Sequence, residues 1–127
     1  MINYMSTRCC IKVIDNKDNY TLYHTHDGYP SGVGADLMHF VYPVIQRTNL
    51  YTAVDIASML VNASWDEEYE HVAALSPQIE YLYIIDLRTK QIRCYGGYVD
   101  RCTYYFVKNI EFDLEQYLPL KPKRCYR

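Results

Sequence analysis

Residues 78–87, Gln-Ile-Glu-Tyr-Leu-Tyr-Ile-Ile-Asp-Leu, constrain the fold more than any other stretch. The centre of this run, Leu82 to Ile85, is apolar at every position rather than at alternate ones. Such a run offers no face to water, so it predicts a central strand covered on both sides. The remaining chain must supply neighbours for both of its edges and layers for its faces.

The neighbours are readable. Residues 8–14 carry β-branched Ile11, Val13 and Ile14, and Asp15-Asn16-Lys17-Asp18 is a turn cluster. Residues 19–26 then read as the return strand of a hairpin. Tyr20, Leu22, His24 and His26 share one of its faces, with Thr21, Tyr23 and Thr25 on the other. After the central strand, Arg88-Thr89-Lys90 turns into a strand at 91–95 that ends at Gly96-Gly97. A further strand at 103–108 closes the sheet.

Helical spacing occupies the middle of the chain. Val33, Leu37, Phe40, Val41, Val44 and Ile45 recur at helical intervals up to Arg47. Pro43 removes one hydrogen bond from that run and predicts a kink or break at 39–42. The corner before it is Asp27-Gly28-Tyr29-Pro30-Ser31-Gly32. There Gly28 permits positive φ, Pro30 holds φ and Ser31 is placed to cap. A second helix starts at Thr52, with Asp55 in its first turn. Leu50, Val54, Ala57 and Val61 make its apolar stripe, with Ile56 and Leu60 beside it. Residues 62–77 read as a solvated loop or short helix with an acidic patch of Asp66, Glu67, Glu68 and Glu70 around Tyr69. A last helical turn is expected at 112–118.

The order β-β-α-α-β-β-β specifies one α+β domain over 1–127. It is an antiparallel sheet of about five strands with two helices on one face, flexible at 1–7 and 121–127. A chain of 127 residues, half of them apolar, suits one core. The net charge of −2 argues against broad nucleic-acid affinity. No run approaches the roughly 18 apolar residues of a membrane span, and no leader pattern opens the chain, so the cytoplasm is expected. Five cysteines, Cys9, Cys10, Cys94, Cys102 and Cys125, form no Cys-x-x-Cys pair and read as reduced thiols. Cys9 and Cys10 point to opposite sides of a strand and cannot chelate one ion together.

The densest group of functional atoms lies at 23–34. His24 and His26, at i and i+2 on a strand, place two imidazoles about 7 Å apart on one side. With Asp27 they could hold a metal. The metallo-hydrolase pattern His-x-His-x-Asp-His is matched only in part, because Asp27 directly follows His26 and the final histidine is missing. The same pair, helped by Arg8 on the neighbouring strand, could instead donate to an anion. Ser31-Gly32-Val33-Gly34 opens a helix where backbone N–H groups favour phosphate, yet it is no P-loop. The plain structural alternative is that Gly28, Pro30, Gly32 and Gly34 shape a corner. A thiol dyad of Cys9 or Cys10 with a histidine would need a pairing that the spacing does not specify.

A second set lies on the C-terminal strands. Arg93 and Tyr95 share a face opposite Ile92 and Cys94, with Tyr81 and Tyr83 expected across from them. Arg101, Tyr104 and Tyr105 follow. Arginine with tyrosine can stack on a base and pair with phosphate. Fifteen tyrosines against three phenylalanines suit either a ring-stacking surface or a half-exposed sheet.

Ser6-Thr7-Arg8, the corner Tyr23-His-Thr-His-Asp-Gly-Tyr-Pro-Ser-Gly-Val-Gly, whose last letter is Gly34, and the strand from Glu80 to Leu87 together resemble a group of small phage and prophage proteins. By size, layout and Arg/Tyr content the chain is also similar to the Thoeris anti-defence sponges. That resemblance implies a non-enzymatic protein of the host cytoplasm that sequesters a cyclic ADP-ribose-type or cyclic dinucleotide signal in a homo-oligomer. It implies no cofactor and no membrane or nucleic-acid partner. Arg8, His24, His26, Asp27 and Tyr29 would form one polar edge of the ligand site, and Arg93, Tyr95, Arg101 and Tyr105 the other. Two alternatives stand beside it. One is a protein-binding inhibitor of a host defence enzyme, such as a CRISPR nuclease, whose acidic patch mimics phosphate. The other is a metal-dependent hydrolase using His24, His26 and Asp27.

Overall fold

A computed structural model describes residues 6–118. The strands are β1 (Cys9–Ile14), β2 (Asn19–His24), β3 (Glu70–Val72), β4 (Tyr81–Asp86), β5 (Gln91–Val99) and β6 (Phe106–Phe112). They form one sheet in the order β3-β2-β1-β4-β5-β6. The α+β class, the single small domain and the central place of the 78–87 run are all observed. The sheet gains a sixth strand, β3. It is antiparallel except at its centre, where β1 and β4 run parallel. That pairing follows from the chain path, because the helices and β3 intervene between the two strands.

The helices cover one face. α1 (Ala35–Phe40) and α2 (Tyr42–Arg47) are the two halves of the expected first helix, broken at Val41 beside Pro43. α3 (Ala53–Val61) begins at Thr52, whose side chain and Asp55 form a reciprocal capping box. Asp15, in the β1–β2 turn, accepts from Ala53 N at 2.7 Å and so ties the hairpin to the start of α3. This N–H, with those of Asp18 and Lys17, holds the Asp15 carboxyl below its ordinary range. The buried stripe of α3 is Ala53, Ile56, Ala57 and Leu60, while Leu50 and Val54 are exposed. The apolar face is thus turned from the expected one by the way α3 lies over β1 and β2. With Leu37, Met38, Val41 and Ile45 it packs on Cys9, Ile11, Val13, Leu22, Tyr83, Ile85, Ile92 and Cys94.

Among the described residues, the opposite face is covered at one end only. There Leu75 and Ile79, in the segment before β4, bury Cys10 and Leu82 with Val99. Cys9 and Cys10 do point to opposite sides, each into its own core. β4 is therefore buried on its helix face and, at Leu82, on the other, while Ile84 is half-buried.

Three boundaries differ from expectation. β5 does not end at Gly96-Gly97 but continues to Val99 through a bulge there. β6 is shifted along the chain to Phe106–Phe112, because an Asp100-capped turn with Tyr104 at φ 60° occupies 100–105. The last helical turn is a 3₁₀ turn at Glu115–Tyr117. Residues 1–5 and 119–127, with Cys125 and the expected C-terminal tail, lie outside the described residues.

Candidate functional site

The corner after β2 is built for packing. Positive φ falls on Asp27, at 56°, and on none of the glycines. Gly28 is needed for closeness instead: a Cβ there would lie 2.9 Å from both Thr7 O and Cys9 Cβ. Its N–H donates to Thr7 O at 2.9 Å, and its carbonyl accepts from the buried hydroxyl of Tyr83 at 2.7 Å. Val33 N returns to Asp27 O at 2.8 Å, closing a π-helical turn over Pro30–Gly34. Ser31 does not cap this turn, because Tyr29 holds the N-cap position and makes no side-chain cap. The central strand therefore clamps the corner through Tyr83, and Gly34 sits where a Cβ would press on that same ring at 3.2 Å.

The two histidines are brought to the acidic patch. His24 Nε2 lies 2.6 Å from Asp66 Oδ2, with both side chains buried. His26 Nδ1 lies 2.8 Å from Glu68 Oε1 at the surface. The strand ends at His24, so His26 stands outside the sheet rather than beside His24 on one strand face. Asp27 Oδ1 accepts from the Tyr29 hydroxyl at 3.0 Å. The carboxylates that reach the histidines are Asp66 and Glu68.

Aromatic anchors hold this acidic segment. Trp65 stacks on Phe40 of α1 at 4.1 Å, and Tyr69 packs against the His24 ring at 4.7 Å. Burial, reinforced by the nearby Asp66 charge, raises the Tyr69 hydroxyl well above its ordinary pKa. The segment at 65–69 is thus not a solvated loop. Its one signal in the sequence was spacing, since Asp66 and Glu68 repeat the i, i+2 interval of His24 and His26.

Arg8 belongs elsewhere. It lies beside Tyr23 on the face opposite His24, where its charge and hydrogen bond offset part of the burial that raises the Tyr23 hydroxyl. The expected edge of Arg8, His24, His26, Asp27 and Tyr29 is therefore divided by the sheet, because alternate residues of adjacent strands take opposite faces.

The C-terminal set also divides. Arg93 and Tyr95 share the face away from the helices, as expected, but their β4 neighbours are Ile84 and Leu82. Tyr81 and Tyr83 pair with Gly96 and Cys94 on the helix face. Arg93 donates to Gln91 Oε1 at 2.9 Å and to Glu111 Oε2 at 3.1 Å. Lys108 Nζ stands 4.7 Å from the Tyr95 ring centre. Lys12, which sequence reasoning passed over, joins this face through the row Lys12, Ile84, Arg93. The strand spacing sets it about 10 Å from Arg93. Arg101 and Tyr105 lie on the exposed β5–β6 turn, roughly 20 Å along β5 from Arg93.

Among the described residues, cavities lie on either side of α2, of which two stand out. The larger, about 510 Å³, lies between α1, α2 and the end of the β5–β6 pair, and is lined by Arg93, Glu111, Asp113 and Glu115 among others. Its three carboxylates compete with any anion for the Arg93 guanidinium. The Cys94 and Cys10 thiols are poor nucleophiles, since burial pushes Cys94 up to about 12 and also raises Cys10. Among the described residues, no helix is long and apolar enough to cross a membrane. No protein-family model, no curated protein and no solved structure matches the chain.

Proposed function

We propose that this protein binds and sequesters a cyclic nucleotide, of cyclic ADP-ribose or cyclic dinucleotide type, without turning it over. The ligand lies on the open sheet face and not at the histidine corner. The observation that supports this reading is that Arg93 and Tyr95 share this face, with Lys108 over the Tyr95 ring and Lys12 further along the Arg93 row. A base stacks on an aromatic ring for about 1–3 kcal/mol, and arginine meets phosphate with a planar fork of donors. Glu111 occupies part of the Arg93 fork, and a bound phosphate competes with it.

His24 takes no part, since its ring is buried against Asp66 and Tyr69. The tyrosines exposed on and near the β5–β6 turn, Tyr98, Tyr104 and Tyr105, offer contact area to a second copy of the chain. In this role the protein would blunt a nucleotide-signalled defence, as the resemblance implies. The phosphate-mimic alternative is weakened, because Asp66 and Glu68 of its acidic patch already face histidines.

Native mass spectrometry with a panel of cyclic nucleotides tests the proposal. Stoichiometric adducts, lost in Arg93→Ala, are the expected result. A chain that takes up none of the panel would reject it.

A further inference from the structure

We propose that His24, Asp66 and Glu68 form a binding site for a divalent transition-metal ion, independent of the nucleotide face. One ligand atom from each, an imidazole nitrogen and two carboxylate oxygens, lies within 4.8 Å of the other two. Among the described residues this is the one cluster of three or more histidine, cysteine or carboxylate side chains so placed. Zinc takes nitrogen and oxygen ligands at roughly 2.1 Å, which in a tetrahedron sets them about 3.4 Å apart. Reaching that spacing means opening the 2.6 Å contact of His24 with Asp66 and drawing Glu68 inward. Glu68 is a half-exposed side chain at the surface and has the freedom to move.

The surroundings hold the set together before an ion arrives. Trp65 on Phe40 and Tyr69 on His24 fix the segment on either side of Asp66. Asp66 Oδ1 accepts from Glu68 N at 3.1 Å, which sets the Glu68 backbone. His26 Nδ1 meets Glu68 Oε1 and orients that carboxylate from outside, so it is a positioning residue. Three protein ligands leave a fourth position for water, the pattern of open zinc sites. Imidazole selects zinc, copper or nickel over magnesium and calcium.

One feature limits the affinity. When Nε2 ligates, the ring proton sits on Nδ1, and that buried atom has no hydrogen-bond partner among the described residues. An outer acceptor at that nitrogen is typically worth 10- to 100-fold in metal affinity. The site is therefore a moderate binder. Metal and proton compete for Nε2, so binding weakens as pH falls.

Isothermal titration of the chelator-treated full chain with zinc chloride tests the site. One zinc per chain is expected, with a rise in Tm on loading. Glu68→Gln should weaken binding at least tenfold and abolish the Tm rise, while His26→Ala should weaken it to a smaller extent. Both changes lie at the surface and leave the buried pair intact. Cys102→Ser, which removes the exposed thiol, should change nothing. No stoichiometric binding, equal binding by Glu68→Gln, or loss of binding with Cys102→Ser would each overturn the proposal.

Discussion

His24 and Asp66, 42 residues apart in the chain, meet at 2.6 Å with side chains only 1% and 6% exposed. The neighbouring pair, His26 and Glu68, has similar chemistry at 2.8 Å but stands in water. Removing one member of a buried pair leaves the other polar group unsatisfied, at a cost of about 3–5 kcal/mol. Asp66→Ala is expected to lose stability on that scale, and Glu68→Ala less than about 1 kcal/mol. Urea denaturation of the two variants compares them directly. Equal losses would mean that burial does not set the difference.

Alkaline pH should destabilise the fold. Burial moves the Cys94 thiol from an ordinary 9.0 up to about 12, so the folded chain keeps a proton that the unfolded chain releases. The stabilisation is complete below pH 9 and lost as pH climbs toward 12. The slope is about 1.4 kcal/mol per pH unit for this group. Cys94→Ala should flatten that slope between pH 9 and 10 relative to the parent, measured by denaturant midpoints.

The corner tolerates change unequally. A Cβ on Gly32 would sit 2.2 Å from Asp27 O, a backbone atom that cannot yield cheaply. Gly32→Ala is therefore expected to cost about 1–3 kcal/mol. Asp27 holds φ at 56°, so Asp27→Gly relieves a conformation that L residues rarely adopt. That variant should be close to neutral, with the lost Tyr29 contact offsetting the relief. Thermal melts of both would show the contrast.

Thr52→Ala removes one half of the capping box on α3. A loss of about 1 kcal/mol is expected, read from the urea midpoint. The loss should be no larger, because Asp15 still accepts from Ala53 N.

On the open sheet face, Arg93→Ala and Tyr95→Ala should each weaken cyclic nucleotide binding by roughly 10-fold or more. Tyr105→Ala lies well away on the β5–β6 turn and should leave affinity intact while weakening self-association. Titration calorimetry gives the first quantity and sedimentation the second. If Tyr105→Ala abolishes nucleotide binding, the ligand lies at the turn or between copies.

Much of the fold was legible because its signals are local. The apolar run at 82–85, the Pro43 break and the Thr52 start depend on neighbours within a few residues, and all three stand in the structure. β3 was missed because Glu70-His71-Val72 is too short and polar to announce a strand, and it exists by pairing with β2. The glycines of the corner were legible as a bend. Which residue would take positive φ was not, since that depended on how closely β1 passes behind Gly28.

The candidate sites divide along the same line. By itself the sequence determined which chemistry each stretch could offer: imidazoles at 24 and 26, carboxylates at 66 and 68, and Arg93 beside Tyr95 on one strand face. Only the tertiary structure decided which of these meet. Sheet register set Arg8 and His24 on opposite faces, brought Lys12 into the row of Arg93, and carried Asp66 and Glu68 to the histidines. Spacing along a chain reports on a few residues at a time, whereas a contact across 42 residues forms only when burial of the whole core orders both segments together.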